Sequence, residues 1–181
     1  MKIEETQFKG LFIIEPDIYK DERGLFFESW NDSKYSEFLS NYKFVQDNYS
    51  ISSKYVLRGL HFQENFPQGK LVRVIKGKVL DVAVDLRKKE KTFGKYFSMI
   101  LKGDEFRQIF IPPEFAHGFL VLSENAEFQY KTTEYYHPES ERTILWNDPD
   151  LNINWNLNDT KPKLSPKDAL GKNLKDLQID F

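Results

Sequence analysis

Val79-Leu80-Asp81-Val82-Ala83-Val84-Asp85-Leu86 alternates with period two. Leu80, Val82, Val84 and Leu86 point one way; Asp81, Ala83 and Asp85 point the other. Such alternation predicts a strand buried on one face. A second strand is expected at 71–75, joined to the first through Lys76-Gly77-Lys78 read as a tight hairpin. Working outward, further strands are expected at 97–101, 108–111, 119–122, 127–133 and 143–146, and before the hairpin at 11–15, 24–29 and 44–48. Strands about ten residues apart, with turn signals between them, mark a sandwich or barrel. Only one fair helix is expected. Asn31-Asp32 can cap it, and Tyr35, Phe38 and Leu39 fall at i, i+3 and i+4. A short turn is expected at Ser165-Pro166, with serine as cap and proline at the first helical position. The reading is an all-β chain with minor helices: one jelly-roll domain over residues 1–181, with a ligand site expected at the barrel mouth.

Composition narrows the chemistry. With 181 residues, 40% hydrophobic and 30% charged, the chain can build a core. Twenty-six basic against twenty-eight acidic residues leave a net charge of −2, so there is no basic surplus for binding nucleic acid. Zero cysteines exclude disulfides, thiolate nucleophiles and thiolate-held metals. No apolar run suggests a signal peptide or a membrane span, so a cytoplasmic protein is expected. The sequons beginning at Asn31, Asn48 and Asn158 then read as chance matches.

Dinucleotide, P-loop and nucleophile-elbow motifs are all absent. The three histidines, His61, His117 and His137, are dispersed, and His61 lacks the second histidine of an H-x-H metal pair. No metal site is expected. In Val56-Leu57-Arg58-Gly59-Leu60-His61-Phe62-Gln63, alternation puts Arg58, Leu60 and Phe62 on one face and Leu57, Gly59, His61 and Gln63 on the other. His61 reads either as an edge-strand histidine or as an imidazole lining a cavity. His117 follows a double proline and precedes Gly118, which fits a turn or a close backbone approach to a ligand. His137 reads as a surface histidine. Phe128, Tyr130 and Thr132 share a face, which by itself makes Tyr130 a core tyrosine. Asp168 completes a Ser165-Pro166-Lys167-Asp168 capping box, and Lys70 reads as an ordinary lysine at a strand start.

An ordered set of short motifs goes further. Asp21-Glu22-Arg23-Gly24, Phe26-Phe27-Glu28, Phe44-Val45-Gln46-Asp47-Asn48 and the run from Val56 to Gln63 belong to it. So do Gln68-Gly69-Lys70-Leu71-Val72, Asp81-Val82-Ala83-Val84-Asp85-Leu86-Arg87, Ala116-His117-Gly118-Phe119, Leu145-Trp146-Asn147-Asp148 and Leu164-Ser165-Pro166-Lys167-Asp168-Ala169. From about residue 8 to about residue 170, this set resembles the dTDP-4-dehydrorhamnose 3,5-epimerase family. Trp155-Asn156 stands where the family commonly has Trp-Pro.

The resemblance implies a cupin jelly roll in a homodimer, with N-terminal strands contributing across the interface. It implies metal-free and cofactor-free inversion of carbons 3 and 5 in dTDP-4-dehydro-6-deoxy-D-glucose, a step toward dTDP-L-rhamnose and surface polysaccharide. His61 matches the base, Asp168 its carboxylate partner, Lys70 the cation beside the enolate oxygen and Tyr130 the acid on the opposite face. Arg23 and Arg58 match diphosphate-binding arginines. Glu28, Gln46, Asp47 and Asn48 match nucleotide-holding positions, and His117, Glu141 and Lys167 match further substrate contacts. The competing readings are an epimerase acting at one carbon only, a catalytically silent sugar-nucleotide binder and a metal-dependent cupin enzyme.

Overall fold

The computed structural model describes residues 1–158 and 160–181. Strands β1 (Lys2–Glu5), β2 (Phe12–Glu15), β3 (Tyr19–Asp21) and β4 (Gly24–Phe26) lead to helix α1 (Asp32–Leu39). Next come β5 (Gln46–Ser53), β6 (Leu57–Gln63), β7 (Lys70–Lys76), β8 (Lys78–Asp85) and β9 (Tyr96–Lys102). β10 (Gln108–Ile111), β11 (Phe115–Val121), β12 (Asn125–Thr132), β13 (Glu141–Thr143) and the single-turn helix α2 (Pro166–Ala169) complete the order. One sheet runs β1-β2-β10-β7-β12-β5 and the other β13-β6-β11-β8-β9, while β3 and β4 form a separate hairpin. The pairings within these sheets are antiparallel. This is the jelly roll of the sequence reading.

Three apolar layers hold it. Val72, Val74, Ile109, Ile111 and Phe128 of the first sheet meet Val79, Ala83, Phe115, Phe119 and Val121 of the second. On the far side of the second sheet, Leu57, Leu60, Leu80, Val82, Val84 and Leu120 pack against Ile144, Leu151, Trp155 and Ile179 of the C-terminal segment. Helix α1 lays Tyr35 and Leu39 on Ile14, Leu71 and Phe110 of the first sheet. Asn31 caps α1 by accepting from the Lys34 amide at 3.3 Å.

Two expectations need correcting. β8 is buried on both faces, not one, because the C-terminal segment covers its outer side. On the other face, toward the first sheet, Asp85 is also fully buried, its carboxylate bonded to Arg87 at 2.8 and 2.7 Å and to Thr92 at 2.6 Å. Lys76-Gly77-Lys78 is not a hairpin turn. β7 and β8 lie in different sheets, so the segment is a corner between layers. Gly77 takes φ +85° there, and a Cβ on it would lie 2.2 Å from the Asn125 carbonyl.

Some strand boundaries also move. β11 begins at Phe115 rather than 119, and β13 ends at Thr143, where a strand was expected to begin. The stretch expected at 44–48 starts at Gln46 and continues to Ser53, because Phe44 leaves the strand to pack edge-on against Trp30 at 4.8 Å.

β6 departs from simple alternation, and the departure shapes the site. Against β11, His61 pairs with His117 while Arg58 pairs with Phe119, so β6 carries an extra residue at Gly59-Leu60. Such a bulge re-aims side chains. It turns Leu57 and Leu60 to the same apolar layer, and Arg58 and His61 to the same cavity. Only glycine fits there. Gly59 has φ +117°, and a Cβ on it would lie 2.5 Å from Gly118 Cα. A Cβ on Gly118 would lie 2.6 Å from the Arg58 carbonyl. Gly118→Ala should therefore destabilise the fold by about 1–3 kcal/mol, as overpacking does. An unchanged urea midpoint would contradict the close crossing.

Candidate active site

A cavity of about 440 Å³ opens between the two sheets, bordered by Arg58, His61, Lys70, His117, Tyr130 and Asp168 among others. His61 comes from β6 and His117 from β11 in one sheet. Lys70 comes from β7 and Tyr130 from β12 in the other. Asp168 is delivered by α2, the turn expected at Ser165-Pro166.

Asp168 both caps and pairs. Its amide donates to Ser165 Oγ at 3.1 Å, and Ser165 Oγ donates back to Oδ2 at 2.8 Å. Its Oδ1 lies 2.5 Å from His61 Nε2. The capping box therefore orients a carboxylate toward an imidazole 107 positions away in the chain. Burial alone would raise the Asp168 carboxyl, but its bonds to His61 and Ser165 outweigh burial and hold it below its ordinary value. With Nε2 committed to Asp168, Nδ1 is the ring nitrogen free to take a proton.

Lys70 is 8% exposed and donates from Nζ to the His61 carbonyl at 3.4 Å. Burial pushes its ammonium down to about 8, against the raising influence of Glu141 and Asp81. At neutral pH it still carries mainly positive charge. Burial also raises the Tyr130 phenol, with Glu141 adding to the effect, which keeps it protonated and able to donate. His117 Nε2 lies 2.9 Å from Asp81 Oδ2, and Asp81 is wholly buried. Asp81 thus serves as an anchor for His117, a role the strand pattern did not reveal. Ser50 and Ser165 also border the cavity without having been anticipated.

The other expected residues divide. Arg58 borders the cavity and is steadied by donating from Nε to Ser52 Oγ at 3.1 Å. Asn48 and Lys167 border it as well. Gln46 lies one step behind, donating to Asn48 Oδ1 at 2.8 Å and accepting from the Tyr136 amide at 3.1 Å. Asp47 alternates to the opposite face of β5 and bonds Lys131 at 2.8 Å beside a smaller cavity of about 150 Å³. Arg23 sits on the β3–β4 hairpin, 86% exposed and bonded to Asp21 at 2.6 Å. Glu28 is bonded to Lys34 and to Asn31. Neither Arg23 nor Glu28 reaches the His61 cavity within this chain. Glu141 stands beside His61, with Oε1 3.8 Å from Nδ1, and its other oxygen accepts from Tyr136 Oη and from Lys167. His137 is half-buried and stacks on Phe66 at 4.5 Å. Among the described residues no cluster of metal-ligating side chains occurs, and no helix is long and apolar enough to cross a membrane.

In this jelly roll an imidazole held by a carboxylate on one sheet faces a buried ammonium and a protonated phenol on the other across one cavity. Residues 5–176 match the family described as dTDP-4-dehydrorhamnose 3,5-epimerase, and the chain belongs to that family. It is 50% identical over 177 residues to the dTDP-4-dehydrorhamnose 3,5-epimerase of Pseudomonas aeruginosa, covering 97% of each chain. Among solved structures it resembles the dTDP-6-deoxy-D-glucose-3,5-epimerase of Legionella pneumophila in complex with dTDP-4-keto-L-rhamnose. That match has a TM-score of 0.94 and 53% identity, over 98% of this chain and 94% of the other. The dTDP-4-dehydrorhamnose 3,5-epimerase of Elizabethkingia anophelis matches with a TM-score of 0.91 and 46% identity, over 97% of each chain.

The depressed Asp168 carboxyl makes a signed prediction. A group whose folded pKa lies below its unfolded value of about 3.9 contributes stability above that pH and loses it as pH falls through the folded value. Asp168→Asn should therefore lower the urea midpoint at pH 6, and the gap from the unmodified chain should narrow below about pH 4. A constant gap across that range would refute the ionic role.

Proposed function

We propose that this isomerase inverts carbons 3 and 5 of dTDP-4-dehydro-6-deoxy-D-glucose, giving dTDP-4-dehydro-L-rhamnose, with the base on one sheet and the acid on the other. The facing placement of His61 and Tyr130 across one cavity carries this reading. A single group on one face would only return the proton to where it came from.

The 4-keto group acidifies the hydrogens on carbons 3 and 5. In this reading neutral His61 takes one of them at Nδ1, and the electron pair moves onto the keto oxygen as an enolate. Asp168 favours the imidazolium so formed. The Lys70 ammonium meets the enolate charge in a water-poor site, where such stabilisation is strongest. Tyr130 then protonates the carbon from the other side, leaving a phenolate. Arg58 and Lys167, with Asn48 and the serines, supply cations and donors for the diphosphate and nucleoside. His117, anchored by Asp81, adds a contact to the sugar end. The roles need neither a metal nor a redox cofactor. The full-length likeness to 3,5-epimerases at about half identity favours two inversions over the single-centre alternative.

The working form in this reading is a homodimer in the cytoplasm, where a charged nucleotide sugar is made and used. Support for the dimer comes from the β3–β4 hairpin. It exposes Tyr19 (59%), Leu25 (47%) and Phe26 (67%) beside Arg23, an apolar surface suited to burial against a second copy. A partner's arginine would thereby complete the cavity that this chain's own Arg23 does not reach.

In deuterated water, deuterium should enter at both carbon 3 and carbon 5, followed by NMR; incorporation at neither would sink the reading. His61→Ala should abolish exchange at both positions. Tyr130→Phe should depress completed inversion more than proton abstraction, and an equal loss of both would remove Tyr130 as the acid. The dimer has its own test. Arg23→Ala and His61→Ala chains, each nearly inactive alone, should regain activity when mixed, because one site of the mixed dimer then has both residues. If mixing restores nothing, Arg23 does not serve the neighbouring site.

A further inference from the structure

Glu141 stands between two cavities. Its Oε1 lies 3.8 Å from Nδ1 of His61, the ring nitrogen left free by Asp168. Its Oε2 accepts from Tyr136 Oη at 2.6 Å and from Lys167, so that oxygen is already engaged by the protein. Glu141 lines not the His61 cavity but a second, open one of about 620 Å³, shared with Glu64, Arg142 and Lys172. Only 11% of its side chain is exposed. One acid group thus connects His61, which lines the first cavity, to a second opening toward solvent.

A double inversion makes a demand that a single one does not. After the first inversion His61 holds an extra proton and Tyr130 lacks one. Before the second, His61 must lose that proton and Tyr130 must regain one. We propose that Glu141 resets His61 between the two inversions, relaying the captured proton from Nδ1 to the second cavity. This rests on the two-carbon reading above.

The protons balance. The imidazolium gives its Nδ1 proton to Glu141 Oε1, leaving neutral His61 and a transient carboxylic acid. That acid passes the proton to solvent in the second cavity and returns to carboxylate. The Tyr130 phenolate takes one proton from solvent through the mouth of the first cavity. The 3.8 Å separation is longer than a hydrogen bond, as catalytic contacts often are before substrate closes the site. Lys167 and Tyr136, holding Oε2, keep Oε1 turned toward the ring. In this relay Glu141 acts through His61.

The test is a quenched single turnover in deuterated water, with NMR counting singly and doubly inverted sugar. Glu141→Gln should raise the ratio of singly to doubly inverted product by about tenfold or more, at the low side of the cost of losing a proton-transfer group. Glu141→Asp, which retains an acid, should stay closer to the unmodified ratio. Added formate should restore the ratio in Glu141→Ala by supplying a carboxylate in the vacated space. Slowing of both inversions with an unchanged ratio, or no response of Glu141→Ala to formate, would overturn the relay and leave Glu141 a binding residue. Absence of deuterium at both carbons with the unmodified protein would instead overturn the epimerase reading itself.

Discussion

Two backbones cross at Gly59 and Gly118 with no space for a Cβ between them, and the cavity takes its shape from that crossing. The extra residue it allows in β6 puts Arg58 and His61 on one face, although strict alternation would divide them. His117 is drawn opposite His61 in the same step. A guanidinium and two imidazoles therefore share one wall of the cavity. Interiors are packed too densely to absorb a methyl group at such a point without movement of the strands.

Around that wall, buried charges are handled by pairing. Asp168 has His61 and Ser165, Asp81 has His117, and Asp85 has Arg87 and Thr92. Pairing is incomplete at two points: Asp81 Oδ1 has no partner among the described residues, and the buried Lys70 ammonium has, among them, one long bond to a carbonyl. An incompletely satisfied cation costs stability, and such cost is commonly met at sites that stabilise developing negative charge. The same cavity thus combines paired, rigidly held groups with an ammonium whose positive charge is left available.

Much of this was legible in the residues. The strands at 71–75, 97–101 and 108–111 lie within β7, β9 and β10, and the caps at Asn31 and Ser165 are both used. Local patterns carry such information because side-chain period and capping depend on near neighbours. Asp168 shows where local reading stops. The capping box explained it fully, yet its carboxylate also faces His61 across the fold. Asp81 read as one polar position in a strand until β11 brought His117 to it. The expected turn at Gly77 failed for the same reason: a glycine with positive φ suits a hairpin and an inter-sheet corner equally.

By itself, then, the sequence determined an all-β chain with one helix and a capped turn at Ser165, no thiol chemistry and a set of motifs shared with one family. It did so through periodicity, composition and motif order, which need no knowledge of distant contacts. Only the tertiary structure decided that β8 is covered on both sides, that β6 is bulged, and that Arg23 and Glu28 stand apart from the His61 cavity within one chain. It also decided that Glu141 lies beside His61. These depend on which strands become neighbours and where the chain supplies a second layer. Period-two alternation says that two faces exist, but not what each face will meet.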